Sequence, residues 1–409
     1  MNLLDLPVEA LLEIFSYFYG PKEALPLALL CKRTKVWAQQ RVDAHYACTS
    51  HGQLQDLVRR MQRPAENNVY RGLSLELLEI VLDTDDTNPQ TYPAISLSLL
   101  QLLTVATNLR GLVISELFEK CLDVDPRLGD AVAALGNLRF LILGDVSDTT
   151  VHALTRAECI PLLENLLLTY YTPSSGRPGQ PPRITFTALL KMLAQRRHLA
   201  WLHLCWFRPT DTLAEVSQDP NVPLDLPTIR TLRLRDGGVR ALDLVLLCRN
   251  LHELHLAFDP SALSNEHASR RRLSLPPAIR ALSWPRLDRL YLCGPVDERL
   301  VTERVNTVTH LIIERRCDIT PLDPHSNPPS RTSSLHSLLH ACRPLMLDLP
   351  MAIRPDTAWG ALNEVLKAAD SLKVLELRLT LHSAVVAGRM WQVGPRPCMS
   401  CGKNLLMRL

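Results

Sequence analysis

The spacing apolar-x-x-Leu-x-apolar recurs along this chain and constrains its fold more than any other feature. It begins at Tyr70, Leu109, Leu138, Leu163, Leu199, Ile229, Leu251, Leu287, Val308, Cys342 and Leu372, with Pro344 shifting the last but one by a residue. The intervals run from 21 residues (287 to 308) to 39 (70 to 109), and 302 residues separate the first start from the last. Recurrence at such a period marks a repeat architecture. Between these segments, 96–106, 187–194, 333–341 and 358–369 carry the apolar spacing of short helices. A strand-plus-helix unit cannot bury its own apolar side, so the units must stack. The expected fold is an α/β solenoid over 69–390 with a parallel sheet of about 10–11 irregular repeats. A doubly wound α/β domain is the competing architecture. It needs no such recurrence and would usually carry a glycine-rich phosphate turn, which the sequence lacks.

Strand alternation divides each segment into two faces. The fourth and sixth positions point inward, which puts Leu112, Leu141, Leu166, Leu202, Leu232, Leu254, Leu290, Leu311 and Leu375 in the core. The third, fifth and seventh positions line the concave surface. Early strands offer apolar groups there, such as Phe140 and Ile142. The middle strands offer Trp201, His203, Arg233, Arg235, Glu253, His255, Arg289 and Tyr291. These residue types are enriched at binding hot spots, and this group is the expected substrate-binding patch. Three arginines against one carboxylate favour an acidic or phosphorylated ligand, because guanidinium presents a planar fork of donors.

The chain has 409 residues, 46% of them apolar, so it can bury a large core without disulfides or metal. Its 45 basic residues stand against 42 acidic ones, a net charge of +3. That balance gives no general reason to bind nucleic acid or membrane. No apolar run reaches the ~18 residues that a bilayer span needs, and Met1–Asp5 lacks the basic start of a signal peptide. A cytoplasmic or nuclear location is expected. The 11 cysteines show no regular spacing, which suits buried reduced thiols better than a disulfide framework.

Residues 1–45 read as three short helices, followed by a linker helix over 46–68; a C-terminal tail occupies 391–409. Pro7 falls in a first helical turn, where a proline costs no hydrogen bond. Beyond it, Val8, Leu11, Leu12, Phe15 and Tyr19 form one apolar stripe, and Pro7, Leu11, Ile14 and Phe18 form another beside it. Gly20-Pro21 ends this helix, a second apolar stretch spans 24–30, and Cys31-Lys32-Arg33 opens a third helix through Trp37. One short helix cannot hide two stripes, so the module calls for a protein partner.

The Leu6-Pro7 pair, Glu9, Leu12-x-Ile14-Phe15, the leucines at 25, 27 and 30, and Cys31-Lys32-Arg33 stand in the order found in F-box domains. The stretch from Leu4 to His45 resembles that family, and the downstream recurrence resembles leucine-rich repeats. The chain as a whole is thus similar to fungal-type F-box proteins with degenerate leucine-rich repeats. It departs from the pattern at Pro26, inside the second helix, and at Thr34, where the family usually carries an aromatic. Trp37, three residues on, lies on the same helical face and can substitute. The resemblance implies that Leu6, Pro7, Leu11, Ile14, Phe15, Phe18, Leu25, Leu27, Leu30, Cys31 and Trp37 dock the adaptor of an SCF-type ubiquitin ligase. Cullin and RING subunits follow through that adaptor, while the repeats hold a protein substrate.

Catalytic and metal signatures fail on inspection. Asp83–Asn88 starts like a calcium loop, but Asn88 occupies position six and Ala94 position twelve, where glycine and glutamate are required. His336 and His340 share a helical face near Cys342, yet no fourth ligand follows. Cys398-x-x-Cys401 is half of a zinc pair, and Arg270-Arg271-Arg272 beside Ser274 reads as a solvated loop. There is no Gly-x-Ser-x-Gly elbow and no P-loop. The expectation is a binding protein without cofactor or metal, the alternative being a leucine-rich-repeat scaffold that acts outside any ligase.

Overall fold

Strictly alternating strands joined by helices predict a sheet buried on one face only, and each unit of the computed structural model has that construction. Described are residues 44–62, 75–82, 89–115, 117–155, 160–170, 184–258, 284–293, 301, 307–314, 317–318, 331–353, 371–381 and 403–408. All eleven residues assigned to adaptor docking, Leu6 to Trp37, lie outside them. The chain divides into two compact units, Met1–Trp201 with Asn221–Pro223, and Leu202–Pro220 with Leu224–Leu409.

In the first unit the order is β1 (His45–Cys48), α1 (His51–Gln62), β2 (Leu77–Ile80), α2 (Tyr92–Val105), β3 (Gly111–Ile114), α3 (Phe118–Val124), α4 (Arg127–Ala133), β4 (Phe140–Val146), α5 (Asp148–Thr155), β5 (Asn165–Tyr170) and α6 (Phe186–Ala194). Strands β1 to β5 pair in sequence order, all parallel. Leu78, Leu112, Leu141 and Leu166 stand in register and are fully buried. Sequential order and one covered face set this apart from a doubly wound sheet, whose strand order reverses and whose strands are buried on both sides.

The second unit takes most of β6 (Trp201–Cys205), then α7 (Leu213–Val216), β7 (Thr231–Arg235), a 3₁₀ turn (Val239–Leu242), α8 (Asp243–Leu247), β8 (Glu253–Ala257), β9 (Leu287–Leu292), β10 (Val308–Ile313), β11 (Cys317–Asp318), α9 (Arg331–Cys342), β12 (Met346–Ile353), β13 (Val374–Leu381) and β14 (Lys403–Arg408). Its core column runs Leu232, Leu254, Leu290, Leu311, Leu347 and Leu375, each at most 1% exposed. Leu202 is buried as well.

One backbone device repeats in both units. The carbonyl just before a strand accepts two consecutive N–H groups from the next repeat, using both lone pairs. Glu76 O receives Arg110 and Gly111, Arg110 O receives Arg139 and Phe140, and Arg139 O receives Glu164 and Asn165. Arg230 O receives His252 and Glu253, His252 O receives Asp288 and Arg289, and Leu345 O receives Lys373 and Val374. Side chains reinforce the joints: Asn137 donates to Thr107 O at 3.2 Å and Asn250 to Pro227 O at 2.8 Å. Helix starts are capped where the sequence allows it. Thr185 accepts from Ala188 N, and Thr212 with Glu215 closes a capping box before α7.

Several sequence expectations change. The segment read as linker helix opens with β1, and its described part then forms a helix over His51–Gln62. Its strand was hidden because no apolar residue stands three before Tyr46. The repeat placed at Tyr70 starts five residues later: Leu75-x-x-Leu78-x-Ile80 is an overlapping match, and these three residues are buried. At β12 the buried Pro344 takes the first apolar position, so Leu347 and Leu349 are the core pair. Residues 403–408, expected as tail, pair antiparallel with β13, satisfying N–H and C=O groups that β13 would otherwise leave unpaired. Glu119, a buried carboxylate that composition gave no reason to expect, accepts from Ser147 N at 3.1 Å and from the Ser147 and Thr150 hydroxyls. Three donors satisfy its two oxygens.

Candidate functional site

The half-exposed positions of β6 to β13 form one open sheet face in the second unit, and most of the predicted patch lies there. His203 on β6, Arg233 and Arg235 on β7, Glu253 and His255 on β8, and Arg289 and Tyr291 on β9 alternate with buried leucines. Parallel registry fixes their neighbours. Arg233 is opposite His255, and His255 opposite Tyr291; Glu253 is opposite Arg289. Trp201, half-buried, is the last residue of the first unit's main segment, where its N–H donates to Glu164 O at 3.0 Å.

At the centre, the rings of His255 and Tyr291 stack with centroids 3.7 Å apart and planes within 8°. Burial, reinforced by Arg233, His203 and Arg289, pushes the His255 imidazole down to about 3. Burial, then Arg233 and Arg235, pushes His203 down to about 4. Both rings are neutral near pH 7. The 3.9 Å approach of Glu253 Oε2 to His255 Nε2 is therefore not an ion pair, and that nitrogen has no hydrogen-bond partner among the described residues. A buried polar atom left so costs about 1–3 kcal/mol. His203 Nε2 lies 3.3 Å from Cys205 Sγ. Cys205, two residues beyond His203 on β6, is only 8% exposed.

The positive balance read from the sequence shrinks in the structure. Arg289 Nη1 is 3.0 Å from Glu253 Oε1, and Arg235 Nε is 3.2 Å from Asp236 Oδ2. Asp236 escaped the sequence reading because it follows the strand, where its left-handed backbone (φ 53°) turns the carboxylate back. Farther along the face come His310 on β10, Asp348 on β12 and Glu376 on β13, all half-buried. Asp348 was missed because Pro344 offsets its repeat. His310 is lowered by burial and by Arg289, against opposing pulls from Asp348 and Glu376. It marks the junction between the two signs of charge.

His336 and His340 are exposed, whereas Cys342 is buried and its thiol is pushed up to about 12 by desolvation, far from a metal-binding thiolate. Among the described residues no three His, Cys, Asp or Glu side chains converge as metal ligands. Cys48, Cys121, Cys205, Cys248 and Cys342 are buried and form no disulfide. Asp83–Asn88, Arg270–Arg272 and Cys398/Cys401 lie outside the described residues. Among those described, no helix is long and apolar enough to cross a membrane.

The architecture is that of an α/β repeat solenoid with one open sheet face. No protein-family model matches the chain, and no curated protein is similar to it. Among solved structures, the yeast Rad7–Elc1 complex contains a chain similar over 86% of this one and 91% of its own, at 13% identity and a TM-score of 0.33. A likeness at that level carries no argument, so the functional reading rests on the residues themselves.

Proposed function

We propose that the protein is the substrate-recognition subunit of an SCF-type cullin-RING ubiquitin ligase. The observation that carries this reading is the junction at His45. The F-box-like series from Leu6-Pro7 to Cys31-Lys32-Arg33 is followed directly by the first strand of a repeat sheet. In this reading the N-terminal helices dock the adaptor, the open face of the repeats holds the substrate, and transfer chemistry belongs to the conjugating enzyme that the assembled ligase recruits. No cofactor is needed. A repeat scaffold working outside a ligase would share the face but have no use for adaptor-docking helices.

The test is capture of partners by the full chain and by its Leu6→Ala/Pro7→Ala and Ile14→Asp variants. Buried anchors often contribute on the order of 2 kcal/mol or more each. The variants should lose adaptor, cullin and RING subunits while keeping other partners. Retention of the adaptor by both variants rejects the ligase reading.

A further inference from the structure

The open face of the second unit changes sign along its length. At β7 to β9, three arginines (Arg233, Arg235, Arg289) meet two carboxylates (Glu253, Asp236), with His203 and His255 neutral. The His255–Tyr291 stack and Ile312, next to Tyr291 in register, form an apolar centre. At β12 and β13, Asp348 and Glu376 are register partners on adjacent strands. Like charges placed opposite each other across a sheet repel, and the two carboxylates make this end of the face the acidic one. His310, between the poles, feels Arg289 from one side and Asp348 and Glu376 from the other.

From this juxtaposition we infer that the face binds an extended protein segment that is itself bipolar, with acidic side chains over β7 to β9, an apolar or aromatic residue over the stacked rings, and basic side chains over β12 and β13. The inference rests on the substrate-receptor reading and specifies the substrate class for it. From β7 to β13 the sheet makes five steps, a span of about 24 Å at ~4.8 Å per strand, which an extended peptide of about seven residues covers. Complementary poles fix the direction and register of such a segment and disfavour peptides of a single sign. An all-acidic ligand would gain at Arg233 but meet repulsion at Asp348 and Glu376. The apolar centre removes water between the poles, which strengthens both ends.

The probes are labelled ten-residue peptides read by fluorescence anisotropy on the full chain: three glutamates, a Leu-Tyr-Leu-Gly centre and three lysines; the same composition with charges alternating; and all-glutamate and all-lysine versions. The bipolar peptide should bind at least tenfold more tightly than the other three. Arg233→Glu should weaken it about tenfold, as should Asp348→Lys/Glu376→Lys. The milder Asp348→Asn/Glu376→Gln pair should show a smaller loss in the same direction and serves if the reversal fails to fold. Equal binding of the all-glutamate or the alternating peptide overturns the inference, as does binding of none. Adaptor titration on the same preparation separates the two ideas. Peptide failure with adaptor binding intact removes only the bipolar target, whereas adaptor failure with peptide binding intact removes the ligase reading.

Discussion

The two units use the same core and different faces. In the first, the half-buried open positions of β2 to β5 are mostly apolar, Leu77, Val113, Phe140, Ile142 and Leu167, with Glu79 as the single charged group and Asn165 and Thr169 as neutral polar ones. In the second, the corresponding positions are Arg233, Glu253, His255, Arg289, Tyr291, His310, Asp348 and Glu376. Behind both stand the same column of leucines and the same paired N–H donation to one carbonyl. The even positions of each strand thus carry the core, while the odd ones set the character of the open face. Repetition constrains the first set, because each leucine must fit its neighbours in register, and leaves the second set free to diverge.

The sharpest way to break this comparison is to cut the core in each unit. Leu141→Ala and Leu254→Ala remove equivalent, fully buried side chains, and each should cost about 2–5 kcal/mol. Chemical denaturation of both variants checks it. A cost near zero in either unit would mean that the column is not a shared core.

A smaller effect comes from the other side of the sheet. Arg289→Ala breaks the 3.0 Å contact with Glu253. Because Arg289 is more than half exposed, the loss of stability should stay below about 1 kcal/mol, as for other surface pairs. Urea midpoints compare it directly with Leu254→Ala. A loss as large as that of the leucine would contradict the division between faces.

The pH response distinguishes the units most gently. His203 and His255 have folded-state values of about 4 and about 3, below the ordinary 6.5. A group held lower in the folded state takes up its proton more readily when unfolded. Its contribution is therefore intact above pH 6.5 and is lost as pH falls from 6.5 toward 4 and then 3. Thermal melts of the wild type should lose more stability between pH 7 and pH 4.5 than those of His203→Gln/His255→Gln. Identical pH profiles would show that the two rings are not held neutral by burial.

The sequence made the core legible because a leucine repeated in register leaves a trace that no local context can erase. Leu112, Leu141, Leu166, Leu232, Leu254, Leu290, Leu311 and Leu375 all lie where the spacing put them. Leu78 and Leu347 were obscured by an overlapping match and by a proline. The residue types on the open face were legible, but their charge balance was not. Pairing of Arg289 with Glu253, or of Arg235 with Asp236, depends on lateral register and on a left-handed turn, and neither leaves a periodic mark. Glu119 was invisible for a similar reason: α3 has only seven residues, too few for periodicity to reveal which side is buried.

The central claim is that one chain joins an adaptor-docking module to a target-holding sheet, and titration of purified adaptor into the purified full chain tests it most directly. The account predicts saturable one-to-one binding that Ile14→Asp abolishes, with the melting temperature of the repeats and binding of the bipolar peptide unchanged. A folded full chain that shows no binding to the adaptor, or an Ile14→Asp variant that binds as well as the wild type, would contradict it.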